Sequence, residues 1–176
     1  MKSGYLIMYK IGDNIVYGSN GVMTVVDIKN DDITGEVKTY YLLTEYGRPA
    51  SSVTYVPMDN ERLVSSMHLV LTAEEVESAF CEAQAMADIP WVAEGRARAE
   101  GYKSIVKRVN RAEMLSMIRT IHKTGLSRAA LGKKNFIADE NVMNRAEAIL
   151  ALEFSISLGI SETEARELIR TRIKEA

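Results

Sequence analysis

The sequence predicts an α+β protein of two segregated modules, an all-β module over residues 1–68 followed by an all-α module over residues 69–176. Three observations predict it. Short β-branched and aromatic runs, separated by turn residues, fill the first third of the chain, which is the signature of strands. From Thr72 onward the apolar spacing changes to the three-and-four pattern of helices. Charge divides with them: residues 1–90 hold six Lys/Arg against thirteen Asp/Glu, a net of −7, whereas residues 91–176 hold sixteen against eleven, a net of +5.

The strand runs are Ile15–Tyr17, Val22–Ile28, Thr39–Thr44 and Val53–Val56, the last stopped by Pro57. Gly12-Asp13, Gly18-Ser19-Asn20-Gly21 and Asn30-Asp31-Asp32 supply turns, because Gly tolerates positive φ and Asn and Asp bond their own backbone. Four or five strands in so short a stretch predict a small, strongly bent sheet or barrel. The first helix starts at a capping box, Thr72 with Glu75, and carries Val76, Ala79, Phe80 and Ala83 at helical spacing. Asp88-Ile89-Pro90 breaks the pattern, since proline pushes its predecessor out of the α region. A second helix is predicted over Val92–Val109. A third starts at Asn110 and ends at Gly125, and residues 126–138 read as looser chain. Asn141–Leu158 is apolar on most sides, as a central buried helix is, and Ser161 with Glu164 caps a last helix through Ile173. The module boundary falls near residues 66–72.

Composition excludes several classes. With 47% apolar and 26% charged residues the chain is ordinary globular material. Its single cysteine, Cys81, excludes an internal disulfide framework and a cysteine-rich zinc site. No apolar run reaches the roughly 18 residues of a membrane span, and Met1-Lys2-Ser3-Gly4-Tyr5 has no signal-peptide core, so a reduced cytoplasmic protein without a membrane partner is expected. His68 and His122 stand far apart without companion ligands, so no metal and no cofactor are expected. The segment from Gly125 to Gly132-Lys133-Lys134 has the wrong spacing for a phosphate loop. Glu74-Glu75 and Asp139-Glu140 stand at helix starts, where the macrodipole favours negative charge. Cys81 reads as a small buried hydrophobe. With no acid–base pair and no nucleophile signature, the expectation is that the protein is not an enzyme.

The chemistry that is present is cationic and aromatic. The window 91–134 holds eleven bases against three acids, a net of +8, which reads either as a solvated helix face or as the electrostatic footprint of a polyanion binder. Trp91, the only tryptophan, stands directly after the helix breaker and directly before the basic helix. It reads either as a core anchor or as an apolar wedge of the kind that unstacks a base step in the minor groove. Arg96, Lys103 and Lys107 fall at 0, +7 and +11, close to one helix face, where they are able to follow a phosphate strand, and Arg98 projects to one side.

These motifs resemble the CarD/CdnL transcription regulators. The resemblance rests on Tyr9-Lys10-Ile11-Gly12-Asp13-Asn14-Ile15-Val16-Tyr17, on Gly21-Val22, Val25-Val26 and Ile28, and on Gly35-Glu36-Val37-Lys38-Thr39-Tyr40-Tyr41-Leu42-Leu43 with Tyr55-Val56-Pro57. It continues in Pro90-Trp91 before a basic helix, and in Arg145-Ala146-Glu147 through Leu158-Gly159-Ile160. The N-terminal pattern is shared with the polymerase-binding module of transcription-repair coupling factors. The resemblance implies a Tudor/SH3-like small β-barrel that binds the β subunit of bacterial RNA polymerase, and an all-α helical domain that contacts promoter duplex DNA without sequence specificity. It implies that Trp91 enters the minor groove at the upstream fork and stabilises the open complex. Arg96 then matches a phosphate contact, with Arg98, Lys103 and Lys107 beside it and Lys133 and Lys134 in a later basic loop. The polymerase-binding candidates are Asp31, Lys38 and Tyr55. Several members of the family carry arginines at the positions matching Asp31 and Tyr55, so here either the contact uses different side chains or the partner differs in charge, with backbone pairing along a sheet edge as a further source of association.

The expected function is therefore a cytoplasmic, nucleoid-associated transcription regulator, monomeric when free. The alternative is a protein-interaction adaptor that binds polymerase or another large partner without touching DNA.

Overall fold

The computed structural model describes residues 9–33, 35–48 and 52–174. They form two compact units, one of residues 9–17 and 21–69, the other of residues 18–20 and 70–174. The first unit is an antiparallel five-stranded sheet in the order β4-β3-β2-β1-β5. Its strands are β1 (Asn14–Tyr17), β2 (Val22–Asp31), β3 (Lys38–Glu45), β4 (Thr54–Pro57) and β5 (Met67–Leu69), and the one-turn helix α1 (Glu61–Val64) precedes β5. Tyr9, Ile15, Tyr17, Met23, Val25, Tyr41, Leu43, Val56, Val64 and Met67 make one buried cluster. Tyr9 ties that cluster together: its ring meets Tyr41 edge-on at 5.7 Å and its hydroxyl donates to the Met67 carbonyl. The pairing of β2 with β3 shifts register between Val25 and Asp27, and Val26 is left on the outside. A bulge of this kind bends the strand and increases its twist. Gly12, at φ +95°, turns the chain into β1 in a conformation open to glycine. Met67-His68-Leu69 has little intrinsic strand character; it is a strand because each of its residues is paired with one of β1.

The second unit is helical: α2 (Ala73–Ala85), α3 (Gly95–Arg108), α4 (Arg111–Ala130), α5 (Ile137–Leu158) and α6 (Glu162–Lys174). The α5 helix is central and packs on the other four. Phe154 and Leu150 are wholly buried on it, and Phe154 meets Phe80 of α2 edge-on at 5.5 Å. The caps are formed as the residue types require. Thr72 and Glu75 make a reciprocal capping box, Ser161 and Glu164 do the same for α6, and Asn110 accepts from the Glu113 N–H.

Five expectations need correction. Asn30 and Asp31, expected in a turn, extend β2 because they pair with Thr39 and Lys38 of β3. The α3 helix begins at Gly95 rather than Val92, so Trp91, Val92 and Ala93 lie outside it. The α4 helix runs through Gly125 to Ala130, because Gly125 serves close approach rather than termination: a Cβ there would stand 2.7 Å from Asn135 Nδ2. The α5 helix starts at Ile137, not Asn141. Cys81 is exposed, since the buried face of α2 is Val76, Ala79, Phe80 and Ala83 and a helix turns position 81 away from it. Among the described residues no helix is long and apolar enough to cross a membrane, and no group of three His, Cys, Asp or Glu is placed to hold a metal ion.

Candidate functional site

Trp91 lies in the short extended link before α3 and is 47% exposed. It is neither entombed nor loose. Its ring rests on the guanidinium of Arg98, 4.0 Å from Cζ to the ring centroid, and against Phe136, 5.6 Å between centroids at 40°. The same guanidinium stands 4.4 Å from the Phe136 centroid, and Arg128 lies over the Phe136 ring at 3.9 Å. Trp91, Arg98, Phe136 and Arg128 thus form one cluster of two rings and two cations, in which Arg98 touches both rings and Arg128 lies over Phe136. Desolvated cation–π contacts are worth up to about 2 kcal/mol each.

Arg98 is placed differently from the other cations expected at phosphates. It is 3% exposed, and its donors are spent inside the fold. Nε donates to Asp139 Oδ2 at 2.8 Å, and Nη1 donates to the Val92 carbonyl at 2.7 Å and the Ala93 carbonyl at 3.4 Å. It therefore grips both the ring of Trp91 and the backbone that follows it. Asp139, in the first turn of α5, is buried with it. Asp139 Oδ1 and the neighbouring Tyr102 hydroxyl are buried without a hydrogen-bond partner among the described residues, and burial together with the Asp139 charge pushes the Tyr102 hydroxyl above its ordinary range.

Elsewhere in the cluster, Arg128 Nε donates to the Lys134 carbonyl at 2.9 Å. The Lys133 N–H donates to the Arg128 carbonyl at 2.9 Å, and Gly132 takes φ +68° to turn the chain between α4 and α5. Asn135, seated against Gly125, donates to Glu140 at 2.8 Å. The loop that presents exposed Lys133 and Lys134 is therefore held from three sides. The cluster brings this loop and Trp91 to one place, although about forty residues separate them in the chain.

Arg96, Lys103 and Lys107 are exposed on α3. Lys103 shares its charge with Glu100 at 2.8 Å. The start of α3 is capped by Glu94, which accepts from the Arg96 and Ala97 N–H groups at 2.9 and 2.5 Å. Those two N–H groups, Ala97 first, hold the Glu94 carboxyl below the usual carboxylate range. Phe136, Arg128 and Asp139 are participants that the sequence reading missed. The one signal for them is local: an aromatic residue directly before a helix start, next to a basic loop.

In the β unit, Asp31 and Lys38 close the β2-β3 ladder, while Tyr55 of β4 pairs with Leu42 in the middle of β3. Asp31 and Lys38 are register partners. Lys29 Nζ lies 3.0 Å from Asp31 Oδ2 and 5.3 Å from the Tyr55 ring centroid, so it bridges the two. Tyr55 meets Tyr40 edge-on at 6.0 Å, and Lys38 pairs with Asp59 at 3.0 Å. The Lys29 ammonium holds the Asp31 carboxyl below its ordinary range, and Asp59 raises Lys38. All of these groups except the buried Tyr40 are at the surface.

Residues 9–68 match the family model described as the CarD-like/TRCF RID domain. No curated protein matches the chain.

Proposed function

We propose, from the match of residues 9–68 to the CarD-like/TRCF RID domain, an RNA polymerase-interacting module, that this chain is a transcription regulator whose helical unit grips promoter DNA. In this reading the β unit docks on the polymerase β subunit through the β2-β3-β4 surface that carries Asp31, Lys38 and Tyr55, with Lys29 between Asp31 and Tyr55. Edge strand β4 offers backbone donors and acceptors there, and main-chain pairing supplies affinity while side chains set the fit. Trp91 enters the minor groove. Arg96, Lys103, Lys107, Lys133 and Lys134 meet phosphates on either side of it. Phosphate contacts position the unit without reading sequence. A factor that binds the open complex better than the closed one shifts the equilibrium by that difference in affinity and no more.

The observation that carries this reading is a lone, half-exposed indole mounted on a buried guanidinium at the start of a basic helix. An ordinary core tryptophan would have no reason to be presented in this way. Unstacking a base step costs a few kcal/mol, and indole stacking returns about 1–3 kcal/mol per base. Trp91→Ala should therefore shorten the lifetime of the open complex by roughly five- to a hundredfold. Polymerase binding should be unchanged, and thermal stability should fall by no more than the contacts of Trp91 with Arg98 and Phe136 contribute, about 2 kcal/mol. Binding to duplex DNA should weaken with salt at a log–log slope of about −0.9 per phosphate neutralised. A protein with no measurable duplex affinity and an unaltered open-complex lifetime in the variant would instead be the adaptor.

A further inference from the structure

We propose that Arg98 is a positioning residue: it sets the orientation of the Trp91 ring and joins it to the Lys133-Lys134 loop, so that wedge and loop act as one preformed clamp. This rests on the reading of Trp91 as the wedge.

The argument is geometric. A guanidinium is planar and has five donors in a fixed fork, so it can stack on a ring and hydrogen-bond in its own plane at the same time. Arg98 does both. Its Cζ lies over the Trp91 ring at 4.0 Å and over the Phe136 ring at 4.4 Å. Its Nε is fixed by Asp139, and its Nη1 is fixed by the Val92 and Ala93 carbonyls. Those two carbonyls belong to the residues directly after Trp91, so ring and backbone are held by the same group. Phe136 in turn meets Arg128, and Arg128 holds the Lys134 carbonyl. Arg98 itself is too buried to touch a phosphate. A wedge free to rotate would lose conformational freedom on insertion; a wedge already fixed loses little, which is what preorganisation contributes to binding.

Because Trp91 is the only tryptophan, fluorescence excited at the red edge, beyond the absorption of the eight tyrosines, reports on this ring alone. The test pairs Arg98→Met with Asp139→Leu, which avoids leaving a buried charge unpaired. In the folded double variant, acrylamide quenching of Trp91 should rise roughly two-fold, as the half-covered ring opens on its second face. Steady-state anisotropy should fall, and circular dichroism should show unchanged helix content. With polymerase and promoter, the open-complex lifetime should shorten in the same direction as in Trp91→Ala, while the salt slope stays the same. Arg98→Lys, which keeps the charge and loses the plane, should fail to restore the quenching value. If the double variant does not fold, Phe136→Leu removes the ring from the cluster without touching the ion pair and should raise quenching likewise. Unchanged quenching in a folded variant overturns the proposal. So does a salt slope reduced by about 0.9, which would make Arg98 a phosphate contact. The two readings separate cleanly: an unaltered lifetime in Trp91→Ala removes the wedge, while quenching still decides whether Arg98 positions the ring.

Discussion

The two units use charge in opposite ways. In the β2-β3-β4 region, Lys29–Asp31 and Lys38–Asp59 lie at the surface. In the helical unit, Arg98–Asp139 and Arg111–Glu153 are buried, with Glu153 wholly inaccessible. An exposed pair is screened by salt and spends side-chain entropy to hold its geometry, so it contributes little to stability. Its members are correspondingly free to exchange partners. A buried pair has been desolvated, and neither member is easily removed. The surface pairs suit a face that must be opened by a docking partner. The buried pairs suit parts whose position has to be fixed beforehand: the ring of Trp91 in one case, the entry into the helical unit in the other.

The largest effect should come from breaking the second buried pair. Glu153 Oε1 accepts from Arg111 Nη2 at 2.7 Å and from the Leu71 N–H at 3.2 Å, so one carboxylate joins α5 to the start of α4 and to the segment before α2. Glu153→Ala should lower stability by about 3–5 kcal/mol, because Arg111 is left charged and largely buried. Urea unfolding measures this. Replacing both partners, Arg111→Met with Glu153→Leu, should recover most of the loss. A single variant as stable as the parent would abolish the contrast between the two units.

A smaller effect, with a definite sign, belongs to the cap of α3. Glu94 has its carboxyl lowered in the folded state by the Ala97 and Arg96 N–H groups. A lowered folded-state value means that the cap contributes stability above the ordinary glutamate range and loses it as pH falls through the lowered value. Acidification should therefore fray the start of α3 and change the emission of Trp91, three residues before the cap. Glu94→Gln keeps an oxygen acceptor and does not titrate, so the acid-induced change in emission should be reduced in that variant. An identical acid profile in both proteins would show that the cap does not govern the setting of the ring.

The same contrast explains how much was legible beforehand. Strands β1 to β4 and the capping boxes at Thr72 and Ser161 are written locally, in β-branched runs and in residues three apart. Trp91 and the exposed cations were also legible, because solitary composition marks them. Arg98 was legible as a cation but not as a buried one. Its partner Asp139 lies 41 residues away, and nothing in helical spacing reveals which distant carboxylate a basic residue meets. Phe136 and the close seat of Asn135 on Gly125 were hidden for the same reason. A glycine that ends a helix and a glycine that admits a neighbour look alike until the neighbour is in place. Strand β5 is likewise the product of pairing with β1 rather than of its own three residues.

The smallest effect on stability should come from the β unit, and it sharpens the comparison most. Lys38 bridges Asp59 and Glu36, at 3.0 and 3.9 Å, on an exposed surface. Lys38→Ala should leave the unfolding midpoint of the protein unchanged, since surface pairs are screened and entropically costly. Its effect should appear in association instead. If this surface meets polymerase, removing one charge from its rim should change the association rate and the salt dependence of binding to purified polymerase, with little change in dissociation. Charge at a rim steers encounter, whereas buried anchors set residence time. A variant that binds polymerase with unaltered rates while Asp31→Ala and Tyr55→Ala are equally silent would move the docking face to another edge of the sheet. The β5 edge, at the opposite side of the same five-stranded order, would then be the strand to test.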